Sequence, residues 1–170
     1  MDIRPLEHAD LPALLELTIA VFGPFYEKSY RRVVGDAVFA NRHGGWREDY
    51  RRLLAGLHAP DEGRFAAVAR SGGEIAGYTG WHAEGNHGEI EILAVAAEHR
   101  GKGLGRALVE HAIGHLDVDV VSIGTGGDDF HAPARALYEA LGFTPFPVVS
   151  YTKAVRETRA AAVPKGTGAS

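Results

Sequence analysis

The sequence predicts a mixed α/β fold, a mostly antiparallel sheet with helices on both faces. Three observations carry that expectation. Two strand-like runs, 65–70 and 74–82, are separated only by Ser71-Gly72-Gly73, a short turn of hairpin type that makes antiparallel neighbours. A helical stretch at 103–116 leads into a nearly unbroken aliphatic run at 118–123, the arrangement of a βαβ crossover. The overall order is β, helices, β, β, β, α, β, α, β. With no internal repeat and no dividing linker, that order fits one layered domain within a chain of 170 residues.

A short strand at 3–5 begins the series. A helix over 10–22 follows, with Asp10 as N-cap, Pro12 in the first turn, and Leu11, Leu14, Leu15, Thr18 and Ile19 at helical spacing. Gly23-Pro24 is expected to stop it. Two helical patches, 30–39 and 46–57, flank Asn41-Arg42-His43-Gly44-Gly45. After the hairpin, a third strand at 89–95 follows the loop Glu84-Gly85-Asn86-His87-Gly88. The helix at 103–116 gathers Leu104, Ala107, Leu108, Ala112 and Leu116 on one side, and the run at 118–123 reads as a buried central strand. A helix at 132–141 ends on Gly142 as a C-cap glycine, and a strand-like segment at 148–155 closes the fold. Residues 1–155 form the domain. The tail at 156–170 is small and polar and is expected to be disordered.

Composition narrows the function classes. Hydrophobic residues make up 45% and charged residues 24%, which suits a globular protein. A net charge of −4 argues against nucleic acid or anionic membrane as partners. The absence of cysteine removes disulfides, thiolate metal sites and a thiol nucleophile. The first residues lack the pattern of a secretion signal, and no stretch is read as long enough for a membrane span, so a soluble cytoplasmic protein is expected. The nine histidines show no convincing ligand spacing, so no metal is expected.

The most informative stretch is Arg100-Gly101-Lys102-Gly103-Leu104-Gly105, between a strand and a helix. A helix N-terminus presents unpaired N–H groups and partial positive charge. Glycines at 101, 103 and 105 leave room for an anion at the main chain, and Arg100, Lys102 and Arg106 add full charges, together a cradle for a pyrophosphate. A dinucleotide fingerprint is excluded, because its last glycine position is Arg106. A P-loop is excluded because Gly103 follows Lys102 where Ser or Thr is needed.

In this loop the chain resembles the GNAT superfamily of N-acetyltransferases, of the bacterial small-molecule type. The family signature, Arg/Gln-x-x-Gly-x-Gly/Ala after a strand, is matched by Arg100, Gly103 and Gly105. Ile92-Leu93-Ala94-Val95 looks like the strand end beside the pantetheine arm, and Ala136-Leu137-Tyr138-Glu139-Ala140-Leu141-Gly142-Phe143 like the second conserved block. The resemblance implies a central strand pair that splays open after Val95, acetyl-CoA as donor, a primary amine as acceptor, and homodimerisation among the states relatives adopt. It places the main-chain N–H groups of Leu93 and Val95 at the thioester carbonyl and Tyr138 at the leaving sulfur. Where many relatives have Asn near the second helix, this chain has His131, a candidate contact to the pantetheine.

Acetyl transfer also needs a proton acceptor for the amine. Strand alternation puts Glu89, Glu91, Leu93 and Val95 on one face, so Glu89 and Glu91 are the candidate base pair. Asp128 and Asp129 would join them in an anionic mouth; the alternative is a solvated turn and helix cap. Phe25, Tyr26, Tyr30, Trp46 and Tyr50 either line an acceptor pocket or pack the helices, the packing role being the simpler. Protein lysine or N-terminal acetylation, or CoA binding without catalysis, are the competing readings.

Overall fold

The computed structural model describes residues 2–156. Five strands form one sheet in the order β1 (Asp2–Pro5), β2 (Arg64–Ser71), β3 (Glu74–Glu84), β4 (His87–Val95) and β5 (Val120–Ile123). The first four are antiparallel neighbours, and β5 lies parallel to β4. The helices are α1 (Leu11–Pro24), α2 (Arg31–Val34), α3 (Asp36–His43), α4 (Trp46–Ala55), α5 (Leu104–Gly114) and α6 (Ala132–Ala140). Leu14, Val21, Leu54 and Leu57 pack with Val68, Tyr78, Ile92 and Ala94 on one face. On the other, Leu104, Leu108, Val109, Ala112 and Tyr138 pack with Ala67, Ala69, Trp81 and Ile90. The expected mixed sheet between two helical layers is what the chain forms.

Several elements depart from expectation, each for a local reason. Asp10 does not cap α1 through its side chain. Its carboxylate accepts two bonds of 2.8 Å from the Arg4 guanidinium and one from the Glu7 N–H, tying β1 to the helix. Gly23-Pro24 does not end the helix. The chain continues through a π-helical turn, Phe25–Tyr30, with the Phe25 N–H bonded to the Phe22 carbonyl. The helix expected over 30–39 is broken at Gly35, whose φ of 81° needs a residue without Cβ. The resulting run His8–Val34 reaches the length and apolarity of a membrane span, against expectation, with Leu14, Thr18, Val21 and Gly23 buried on the protein.

The run 118–123 does not make a buried central strand. Only Val120–Ile123 is strand, it forms the sheet edge, and Val120 is 58% exposed. No strand forms over 148–155. Pro145 and Pro147 remove two ladder donors just before it, and Phe146, Val148, Val149, Tyr151 and Val155 stay exposed, so no burial drives pairing. From residue 157 onward the expected tail lies outside the described residues.

Candidate functional site

The β4–β5 ladder ends early. Pairing runs from His87–Val120 to Ile90–Ile123, while β4 continues to Val95. Among the described residues, 91–95 have no ladder partner on that side, and a gap opens in the sheet. The phase of the β3–β4 ladder decides what faces the gap. Ala96 donates its N–H to the Ala76 carbonyl at 2.9 Å, so Ala94 and Ile92 turn their main-chain groups toward β3. Leu93 and Val95 turn theirs the other way, into the gap. The Val95 carbonyl is met there by the Arg100 Nε at 3.1 Å, and the N–H groups of Leu93 and Val95 are left to face the opening.

The loop at the end of β4 prepares the N-terminus of α5. Gly101 (φ 70°) and Gly103 (φ 83°) adopt the left-handed conformation, and no atom lies within 4 Å of where their Cβ would be. Gly103 caps α5 without a side chain, so the first-turn N–H groups face outward unpaired. Gly105 differs: a Cβ there would meet Leu137 Cδ2 at 3.0 Å, so this glycine lets α5 close on α6. Arg106 turns to Glu110 and to the Ala140 carbonyl, both at 3.4 Å, and Lys102 has no hydrogen-bond partner among the described residues. The open glycines, the uncapped helix end and the free β4 edge fit a phosphate-bearing thioester laid along β4.

Tyr138 follows on α6, 9% exposed, with its ring edge-on to Phe143 at 6.1 Å. Burial pushes its phenol up to about 12, which keeps the proton on. Gly142 (φ 87°) ends the helix as expected, with the Phe143 N–H reaching back to the Tyr138 carbonyl at 3.0 Å. Tyr138 also lines a cavity of about 790 Å³ between β5, the 124–127 loop, α6 and residues 143–148.

The glutamates lie elsewhere than strand alternation puts them. Gly80 pairs with Ile92 but Trp81 pairs with Ile90, so Glu91 is an extra residue, a β-bulge. Its side chain turns to the α1–α4 face, where it meets His82 Nδ1 at 2.7 Å and Arg64 Nη2 at 2.8 Å. Glu89, paired with His82 across the ladder, approaches His82 Nε2 at 3.9 Å. Leu93 and Val95 pack on the α5 face instead. Glu89 and Glu91 therefore share a face with each other but not with Leu93 and Val95.

His131 caps α6, holds Asp128 at 2.7 Å and packs edge-on against Phe25 at 4.7 Å. That pairing helps hold Asp128 below the usual carboxylate range against its burial. No contact joins this loop to Glu89 or Glu91 among the described residues, so the acids form two groups. Tyr26 stacks on Trp46 at 4.9 Å and Phe22 on Tyr50 at 5.2 Å, which is helix packing, while Phe25 links the helices to Phe130 at 5.7 Å. Arg64 escapes sequence reasoning. Its signal is a charged residue at the start of β2, readable only through the register of two hairpins. Among the described residues no group of three or more metal-ligating side chains comes together.

Comparison with known proteins follows the same lines. The model of the Acetyltransferase (GNAT) family matches residues 24–143. A mycothiol acetyltransferase from Thermomonospora curvata is 31% identical over 154 residues, 85% of this chain and 51% of that protein. A streptothricin acetyltransferase from Streptomyces lavendulae is 34% identical over 96 residues, 49% of this chain and 45% of that protein. The chain thus spans about half the length of the curated relatives it matches. Among solved structures, a GNAT-family protein from Desulfovibrio desulfuricans superposes with a TM-score of 0.64 at 19% identity, covering 87% of each chain. A GCN5-related N-acetyltransferase from Ralstonia eutropha gives 0.61 at 20% identity, over 89% of this chain and 97% of that one. Those likenesses bear on the fold.

Proposed function

The chain belongs to the acetyltransferase (GNAT) family, and from that membership we propose that it moves an acetyl group from acetyl-CoA to a primary amine of a small molecule, by direct attack in a ternary complex. The observation that carries this reading is the gap beside residues 91–95, with free N–H groups facing into it and opposite chemical equipment on the two sheet faces. Acetyl-CoA, when bound, supplies the activated acyl group. The α5 N-terminus with Gly101, Gly103 and Lys102 holds its pyrophosphate, and the Leu93 and Val95 N–H groups receive the carbonyl oxygen as negative charge builds on it. Tyr138, held neutral by burial, stands on the α5–α6 side as proton donor to the departing sulfur. The acidic group around Glu89 and Glu91 stands on the α1–α4 side, where an ammonium would arrive. The mycothiol and streptothricin names of its relatives support a small acceptor.

A thiol-release assay with acetyl-CoA tests the reading against aminoglycosides, streptothricin, polyamines, amino acids and lysine peptides. Turnover on a small amine is the expected result. Turnover confined to peptides would replace it with protein acetylation, and tight CoA binding without turnover on any of them would favour a binding module.

A further inference from the structure

Resting on the acetyl-transfer reading, we propose that His82, positioned by Glu91, is the group that takes the proton from the acceptor ammonium. Glu91 cannot serve as a free base, because both its oxygens are taken. Oε1 meets His82 Nδ1 at 2.7 Å and Oε2 accepts from Arg64 Nη2 at 2.8 Å. Its side chain is 16% exposed and lies between the Arg64 guanidinium and the His82 ring, with a donor at each oxygen. The carboxylate accepts from Nδ1–H of His82, and in that neutral tautomer the lone pair sits on Nε2.

Among the described residues Nε2 has no hydrogen-bond partner. Glu89 Oε2, the nearest charged atom to it, is 3.9 Å away, beyond hydrogen-bond reach but close enough to attract an ammonium. The His82 side chain is 30% exposed, so solvent and an acceptor reach it. Its position fits the chemistry as well. Glu91 is the bulge residue immediately after the last β4–β5 pair, so the dyad stands where the gap begins. It lies on the face opposite Tyr138. Proton acceptor and proton donor thus approach the gap from opposite sides of the sheet.

The step balances simply. The ammonium N–H bond breaks, its electron pair stays on nitrogen to attack, and the proton forms a bond to Nε2. The resulting imidazolium is matched by Glu91 and passes its proton to solvent at the rim. The charged and titratable groups facing His82 are Arg64 from β2 and Glu89 and Glu91 from β4. The segment after α4, which packs on this face through Leu57, brings His58, whose Nδ1 accepts the Ala66 N–H at 3.0 Å.

The test compares the parent with His82→Gln, Glu91→Gln and Glu89→Gln, reading the pH profile of kcat/KM for the acceptor and calorimetric acetyl-CoA affinity. For His82→Gln the expected result is about a hundredfold loss with the acid limb abolished and acetyl-CoA affinity unchanged. Glu91→Gln should lose less and shift the acid limb to lower pH, because the carboxylate no longer favours the imidazolium. A parent-like limb in His82→Gln, or its transfer to Glu89→Gln, overturns the proposal while leaving acetyl transfer standing. No parent turnover on any acceptor would remove the acetyl-transfer reading itself and the base with it. Nitrogen-15 NMR of the unmodified protein adds a check independent of variant folding. A His82 tautomer with hydrogen on Nε2 rather than Nδ1 would end the assignment whatever the rates.

Discussion

Tyr138 packs in the core, and the proposed mechanism also makes it the proton donor; the geometry makes the two compatible. Its ring packs on Phe143 and sits in the cluster of Ile90, Val109 and Ala112, while its hydroxyl has no hydrogen-bond partner among the described residues. Removing a hydroxyl that bonds to nothing in the protein should leave stability within about 1 kcal/mol, because packing is retained and no partner is orphaned. Removing a proton donor, by contrast, should lower kcat by about a hundredfold. Tyr138→Phe is therefore expected to melt like the parent, bind acetyl-CoA with parental affinity, and turn over slowly. A variant that keeps its rate would leave Tyr138 a packing residue only. Asp10 makes the opposite case, a polar residue whose work is structural. Its buried carboxylate takes three bonds from Arg4 and Glu7, so Asp10→Ala should destabilise by about 2–3 kcal/mol in urea unfolding with kcat unchanged. A loss under about 0.5 kcal/mol would count that pair as a surface contact.

Among the elements, the proposed site is built on the strand β4, its loop and α5, and two glycines two residues apart differ in their surroundings. Gly103 faces open space at the helix end, whereas Gly105 is closed over by Leu137. Gly103→Asp should weaken acetyl-CoA binding by at least about tenfold, near 1.4 kcal/mol, through charge repulsion and crowding at the anion site. Gly105→Val should instead cost about 1–3 kcal/mol of stability by forcing α5 off α6. Calorimetry paired with thermal melts separates the two, and a swap of the effects would invert the assignment. The loop was legible in the sequence because its signal is local: glycines, cations and a helix start within seven residues. The βαβ crossover and the Gly142 cap were legible for the same reason. The faces of β4 were not. A single extra residue at Glu91 reverses alternation, and only the β3 register reveals it. Reading Glu84-Gly85-Asn86-His87-Gly88 as a loop also hid a two-residue Gly-Asn turn, with Gly85 at φ 58°, that sets His82 opposite Glu89. The register of β2 holds a further irregularity between Ala69 and Arg70, which displaces Arg64 by one from any count through the turn. The final strand failed for another reason: Val148, Val149 and Tyr151 favour a strand, but propensity without burial does not make one.

Across the whole molecule the sheet acts as a partition, with the α5–α6 layer on one face and α1–α4 on the other. The histidines bind each layer's stability to pH. His43, among Tyr26 and Tyr30 in the α1–α4 layer, is lowered by desolvation and by Arg42. His111, against His115 at 4.3 Å near Trp81 in the α5–α6 layer, is lowered by desolvation and by His115. In both, the folded state favours the neutral ring, so the unfolded chain binds more protons and stability rises with pH. Their contribution is complete above the ordinary imidazole value of 6.5 and is lost as pH falls below it toward the lowered folded values. Asp10 acts in a different window. Its carboxyl is lowered by Arg4 from 3.8, so its contribution persists until pH falls to that value and disappears below it. Acid loss of stability should therefore come in two stages, histidines first and Asp10 last. In urea titrations the parent midpoint should decline between about pH 7.5 and 5, and the double variant His43→Phe/His111→Phe should decline less while keeping its aromatic contacts. Parallel declines in parent and variant would mean that these two rings do not set the first stage. The same titration on Asp10→Asn should leave that first stage intact, since a carboxylate that titrates below pH 4 is ionised throughout it.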